Sequence, residues 1–399
     1  MNIGLLGFDF SSANKGCEAL AYSFINLLGT MGIEEKIQIY NFSYCKVGAI
    51  SNKYPDIKFI DCKLSLKNPI YLMKLRSIFS KMDFIFDVTF GDGFSDIYGK
   101  IWLVITNILK QNAIYSKAPL VLLPQTYGPY KNTVLRMWSK SIIKHSDLVY
   151  SRDLDSANEL NSSCGNNIIP LTDMAFALPY DSSMYSFNTD KVKIGINVSS
   201  LLWDSPYARD NKFALKVDYV DYINTLIDEL LLNSNYEIHI IPHVIDKENY
   251  TAPENDVRAC EDVKRRFGDR IVLAPAFDNP IEAKSYISNM DVFIGARMHS
   301  TIGAVSSGIA TIPFAYSKKF EGLFGNLDYP YIVDGRKFST KEAVKLTKEY
   351  IDNRKALKQS TNNLMSIVSD KLEFLQIGIK SLIRSNSLNQ KGAVRGENI

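Results

Sequence analysis

The chain of 399 residues carries 46 lysines and arginines against 43 aspartates and glutamates, a net charge of +3, with 46% hydrophobic residues. That length exceeds one ordinary core and predicts two domains, and the near balance of charge excludes a dedicated nucleic-acid binder, which would be strongly basic. Five scattered cysteines, at 17, 45, 62, 164 and 260, lack the close pairing of a zinc site and suggest reduced thiols in a cytoplasmic protein.

Residues 1–7 have no basic n-region and no long apolar stretch, so they predict a first buried strand rather than a signal peptide. No segment reaches the roughly 20 apolar residues of a membrane span, which leaves a soluble or peripheral protein. From there, short apolar runs ending in Gly, Asn or Asp alternate with helical patterns, the mark of parallel α/β architecture. The first half predicts strands at 3–8, 36–40, 84–88, 120–123 and 148–150; the second predicts them at 193–198, 237–241, 271–273, 292–294 and 311–314. A polar, turn-prone stretch at 179–188 separates an N-terminal domain, 1–180, from a C-terminal domain, 189–385. The expected fold is two doubly wound, parallel-sheet, Rossmann-like domains facing a cleft, followed by a polar tail, 386–399, expected to be disordered.

Ligands of such sheets bind beyond the strand carboxyl ends. After the first strand come Asn14, Lys15, Gly16 and Glu18 at a helix opening, where Asn caps and Gly permits close packing, or where the polar groups hold sugar hydroxyls or a phosphate. Asp87, Asp92 and Asp96 raise the question of magnesium, but Asp87 lies in an apolar strand and no metal is expected. Gln125 follows the fourth strand. Arg152 follows the fifth, either paired with Asp153 or Asp155 or bound to a ligand. Residues 131–144 carry four cations and no acid at helical spacing; this helix either packs on the sheet or touches a membrane peripherally. His239 alternates with isoleucines in a strand and reads as core, whereas His243 sits at the cleft rim. The richest segment is 291–300, in which an apolar strand breaks into a Gly turn carrying Arg297, His299 and Ser300 before a helix. A helix N-terminus with a planar guanidinium suits a carboxylate or phosphate, and His299 is the natural proton carrier. The alternative is that Arg297 pairs with a structural carboxylate and His299 caps the helix.

Six motifs occur in order: Asn14 to Ala19, Gly91-Asp92-Gly93, Gln125 to Pro129, Ser151-Arg152-Asp153, Asp173 to Phe176, and Arg297-Met298-His299 followed by Tyr316-Ser317-Lys318-Lys319. With them the chain resembles the polysaccharide pyruvyl transferase family from the first strand to Asp334. The resemblance implies a GT-B-like fold and transfer of the pyruvyl group of phosphoenolpyruvate to two hydroxyls of a sugar, giving a ketal in a capsule, exopolysaccharide or lipid-linked precursor. Phosphoenolpyruvate is then a co-substrate and no cofactor is expected. It further implies that Arg152, Arg297 and His299 bind the donor. The chemistry of such a donor independently suits the residues on the C-terminal side of the cleft: His299 as general acid, or as the base for the attacking hydroxyl, Arg297 and Lys318 stabilising the departing phosphate, and Ser300 beside them at the donor. Asn14, Lys15, Glu18, Asp92, Gln125 and His243 would meet a sugar or lipid-linked oligosaccharide acceptor at the inner membrane face. Two departures stand out: Asp92 interrupts what is usually a run of glycines, and Cys17 replaces a frequent acid. The rivals are a nucleotide-sugar glycosyltransferase, which would want a ribose-holding acid on the helix at 301–310 where none occurs, and a catalytically silent carbohydrate-binding relative.

Overall fold

A computed structural model describes residues 1–396 apart from 44, 49, 66, 67 and 165–167. The N-terminal sheet contains β1 (Asn2–Leu6), β2 (Gln38–Phe42), β3 (Lys58–Asp61), β4 (Phe84–Asp87), β5 (Leu120–Gln125), β6 (Leu148–Ser151) and β7 (Ile169–Pro170). The C-terminal sheet contains β8 (Val192–Asn197), β9 (Tyr236–Ile240), β10 (Val272–Leu273), β11 (Val292–Gly295), β12 (Ala310–Ala315) and β13 (Val333–Asp334). The strand orders are β3-β2-β1-β4-β5-β6-β7 and β10-β9-β8-β11-β12-β13, with parallel pairing throughout. All ten expected strands are present. The three additional ones, β3, β7 and β13, are short sheet-edge strands without a long apolar run.

The central strands read as continuous apolar runs because helices cover both faces, and every residue of β5, β11 and β12 is buried. Strand order reverses between β1 and β4 in one sheet and between β8 and β11 in the other, so each sheet has one crevice where loops diverge. Leu6 pairs with Asp87 and Asn197 with Gly295 at these crevices. In the first, Gly7 takes φ +67°, and a Cβ there would sit 2.5 Å from the Thr89 backbone. Thr89 and Phe90 themselves adopt φ of +37° and +55°, a strained conformation that presents Asp92 to the cleft.

The last helix, Arg354–Gly396, crosses back over both halves of the molecule. Its buried Leu357, Leu364, Val368, Leu375, Ile379 and Ile383 recur at four- and seven-residue spacing. Gly378 lets it approach Tyr150, whose hydroxyl would lie 2.1 Å from a Cβ at that position. The segment 386–399, expected to be disordered, continues this helix as far as Gly396, and 397–399 lie outside the described residues. Extending a nucleated helix needs no apolar face of its own.

Candidate functional site

The two crevices face each other across a cleft bridged by the opening of the first helix, Lys15–Thr30. Asn14 caps it by accepting from Gly16 N–H at 3.0 Å, and forms an antiparallel bridge with Val244 of the other half. Ile245 N–H donates to the Ala13 carbonyl at 2.8 Å. Lys15 is buried and spends its ammonium on Glu18 (3.0 Å), the Ser12 carbonyl (3.1 Å) and the Asp278 carbonyl across the cleft (3.0 Å). Burial pushes the Glu18 carboxyl up to about 7 in spite of Lys15. These two residues therefore clasp the halves together.

Beside the clasp, Gly16 lies against the His299 ring so closely that a Cβ would fall 2.2 Å from Nδ1. His299 Nε2 lies 3.5 Å from Asp173 Oδ2, an ion-pair separation too long for a good hydrogen bond. Asp173 is fully buried and also accepts from Arg152 Nη1 at 2.9 Å and Ala175 N–H at 2.8 Å. Burial acts to raise its pKa, but His299, Arg152 and that N–H outweigh it and hold the carboxyl well below the usual range. Arg152 donates Nε to Thr126 at 2.9 Å, while its Nη2 has no hydrogen-bond partner among the described residues. Gly91 makes room for this guanidinium, since a Cβ there would stand 2.9 Å from Nη1.

Arg297 leaves β11 with its N–H donated to Asn197 Oδ1 at 2.9 Å. Its guanidinium pairs with buried Asp256 at 2.8 Å and with the Glu254 carbonyl at 2.9 Å, the structural pairing weighed from the sequence. Nη1 reaches only the half-exposed Glu254 carboxylate, at 3.3 Å. His243 is buried with neither ring nitrogen hydrogen-bonded. Burial first, then the charges of His299, Arg297 and Lys15, depress its pKa well below the ordinary histidine value, so the ring is neutral.

The polysaccharide pyruvyl transferase family model matches residues 14–318. The chain belongs to this family. The family is one of transferases acting on polysaccharides. Among solved structures the transferase is similar to a protein from Listeria monocytogenes assigned as UDP-N-acetylglucosamine 2-epimerase, with TM-score 0.60, 11% identity and 96% of each chain covered. It is similar also to UDP-GlcNAc 2-epimerase from Neisseria meningitidis bound to UDP-GlcNAc, with TM-score 0.58, 12% identity and coverage of 95% of this chain and 100% of that one. A glycosyltransferase from Rickettsia africae gives TM-score 0.56, 10% identity and coverage of 96% and 98%. At such identities the likeness shows the fold, which is GT-B. Among curated proteins none matches the chain significantly.

Between the two halves the transferase has a cavity of ≈ 600 Å³, within the range of small-molecule sites. Of the residues singled out in the sequence, Asn14, Asp92, Arg152, His243, Arg297 and His299 line it. The others do not. Lys15 and Glu18 form the clasp; Gln125 is buried and donates to Asp87. Ser300 turns back to the Arg297 carbonyl at 2.7 Å and to Asn197. Lys318 starts its helix, Lys318–Phe324, exposed to solvent, and the neighbouring Lys319 enters the cavity wall instead. Lys319 crosses the cleft to Asp92, which also accepts from the Tyr98 hydroxyl at 2.9 Å. Cys17 is in the wall too, but burial and then Asp92 and Asp9 push its thiol to about 12, which removes it as a nucleophile at neutral pH. Asp173, Asp256 and Glu254 are the partners that sequence reasoning left unassigned. Among the described residues no group of three metal-ligating side chains occurs. Asp87 pairs with buried Lys110 at 3.0 Å and Asp96 accepts the N–H groups of Lys131 and Asn132, so the three spaced aspartates serve three separate purposes.

Proposed function

We propose that this transferase moves the pyruvyl group of phosphoenolpyruvate onto two hydroxyls of one sugar in a cell-surface polysaccharide or its lipid-linked precursor, working in the cytoplasm. The observation that carries this reading is the unit Arg152–Asp173–His299, which joins the two halves at the wall of a cavity that also holds Arg297 and Lys319. The donor is a small trianion without a ribose. Arg152 offers its unpartnered Nη2, Lys319 offers its ammonium once Asp92 lets go, and Arg297 offers Nη1 on displacing Glu254. The helix Met298–Val305 behind Arg297 carries no carboxylate of the kind that holds a nucleotide ribose.

The proton count sets the roles. Donor plus two hydroxyls gives ketal plus phosphate: one hydroxyl proton ends on the methylene carbon, which becomes the methyl, and the other leaves on phosphate. His299, held against Asp173, delivers the proton to the methylene carbon as the C–O bond to the first hydroxyl forms. His243, neutral and with neither nitrogen hydrogen-bonded, takes the proton of that hydroxyl only in passing, because its pKa is held down, and returns it to His299, so that the hydroxyl proton replaces the one given to the methylene carbon and both rings end as they began. Breaking the carbon–oxygen bond to phosphate then regenerates a cation at the same carbon, which the second hydroxyl attacks. Arg152, Arg297 and Lys319 stabilise the departing phosphate. Lys319 takes the part expected of Lys318 from the sequence.

Incubation with phosphoenolpyruvate and a panel of sugar diols tests the proposal. The expected result is acceptor-dependent phosphate release matched by a new ketal methyl signal in the NMR spectrum. Phosphate release without a ketal, or sugar transfer from a UDP-sugar, contradicts it.

A further inference from the structure

The mouth of the cavity on the N-terminal side carries an apolar, basic face that the transfer chemistry does not use. Two helices, Lys100–Ser116 and Thr133–Lys144, lie side by side with matching direction. Ser139 donates to Asn107 at 3.1 Å, Trp138 donates to Gln111 at 3.1 Å, and Asp96 ahead of the first helix accepts from the backbone at the start of the second. At their shared N-terminal end Ile101 is 78% exposed, Val134 73% and Met137 68%. Ile97 and Tyr98, in the preceding loop, are also exposed and belong to the cavity wall. Large apolar side chains so exposed in one region mark a contact surface.

Neither helix contains an acid, and the Asp96 carboxylate ahead of them is taken up by the N–H groups of Lys131 and Asn132. Lys100, Lys131 and Arg136 are exposed beside these residues, Lys140 is half-buried one turn further on, and residues 131–144 contain no acid. The chain as a whole is nearly neutral, so this concentration is local. The second helix buries Leu135, Ser139, Ile142 and Ile143 on its inner side, which leaves Val134 and Met137 on the outside together with the cations. No described helix is long and apolar enough to cross a membrane, so the surface suits lying on a bilayer.

We propose that this face docks the protein peripherally on an anionic lipid surface, with Ile101, Val134 and Met137 entering the headgroup boundary and Lys100, Lys131, Arg136 and Lys140 meeting lipid phosphates. Docking brings the cavity mouth at Ile97 and Tyr98 to the bilayer. The occupant is a membrane because the apolar residues are ringed by cations on a helix without acids, which an anionic interface complements and a second, equally basic copy repels.

The test is co-sedimentation of the full chain with vesicles of phosphatidylglycerol and phosphatidylcholine, against vesicles of phosphatidylcholine alone. Wild-type protein should bind the anionic vesicles at low ionic strength and release as salt shortens the Debye length. Both Arg136→Glu with Lys140→Glu and Val134→Ser with Met137→Ser should weaken binding by about tenfold or more. Thermal melting and binding of phosphoenolpyruvate should match wild type, since none of the four residues lines the cavity. Absence of vesicle binding at low salt, equal binding to neutral vesicles, or undiminished binding by both double variants overturns the proposal. Self-association in light scattering that the Val134→Ser, Met137→Ser variant abolishes, without vesicle binding, overturns it in favour of a second copy. Loss of phosphoenolpyruvate activity with vesicle binding intact would sink the transfer chemistry and leave this surface standing.

Discussion

Replacing Gly16 by alanine should disable His299 without touching the chemistry of any side chain. The added methyl would lie 2.2 Å from His299 Nδ1, 2.6 Å from Cγ and 2.9 Å from Cβ. Carbon–nitrogen contact needs about 3.5 Å, so the ring must retreat by more than 1 Å or the halves must part. Because the nearby Cβ is also too close, rotating the ring alone gives no relief. A misplacement of about 1 Å at a reacting group costs on the order of 100-fold in rate, which sets the expected fall in kcat/KM. Fold stability should fall as well, by about 1–3 kcal/mol for the overpacking, offset in part by the advantage of up to about 1 kcal/mol that alanine has over glycine in a helix. The assay is phosphate release from phosphoenolpyruvate with acceptor, alongside thermal melting. Activity within threefold of wild type at unchanged melting temperature would refute the placement of His299 against the first helix.

Asp92→Asn should free Lys319 for the donor; the pair is partly exposed, so its loss is worth at most about 1 kcal/mol, and the donor KM should fall by up to about fivefold. An unchanged or raised KM would show that Asp92 does not compete for Lys319. Asp173→Asn leaves Arg152 buried without its carboxylate and should cost about 3–5 kcal/mol at pH 7 in urea unfolding. Since the folded pKa of Asp173 is depressed, its contribution is complete above the unfolded value near pH 3.9 and drains only as pH falls through the folded one. The variant should therefore lose that acid limb, and retention of it would contradict the assignment. Burial lowers Lys284 to about 7 where its ammonium donates to the Leu178 carbonyl. The unfolded chain then binds the extra proton between pH 7 and about 10.4, so wild-type stability should rise with pH across that window. Lys284→Met should flatten the rise, and an unaltered slope in denaturant melts would refute it.

The centre of each sheet was legible because its strands are buried on both faces and so announce themselves as unbroken apolar runs. Lys58–Asp61 has charged ends and a half-exposed middle, and β7 and β13 are two residues long, which leaves no pattern to read. At the site, Arg297 and His299 were visible from the turn that follows β11. Their partners were not: Asp256 lies 41 residues before Arg297, and only the packing of two loops brings it there. Lys15 and Glu18 stand three apart on a helix and could be read as a pair, but that the ammonium faces Asp278 in the other half depends on domain contact. Between Lys318 and Lys319 the choice rests on helix phase, which two adjacent lysines cannot reveal.

The measurement that tests the account most directly is calorimetric titration of phosphoenolpyruvate into the wild-type chain and Arg152→Ala, with UDP-N-acetylglucosamine as the competing ligand. One phosphoenolpyruvate should bind per chain, its binding should be lost or weakened at least about tenfold in Arg152→Ala, and the nucleotide sugar should not bind. Binding of the nucleotide sugar alone, or phosphoenolpyruvate binding indifferent to Arg152, would contradict it.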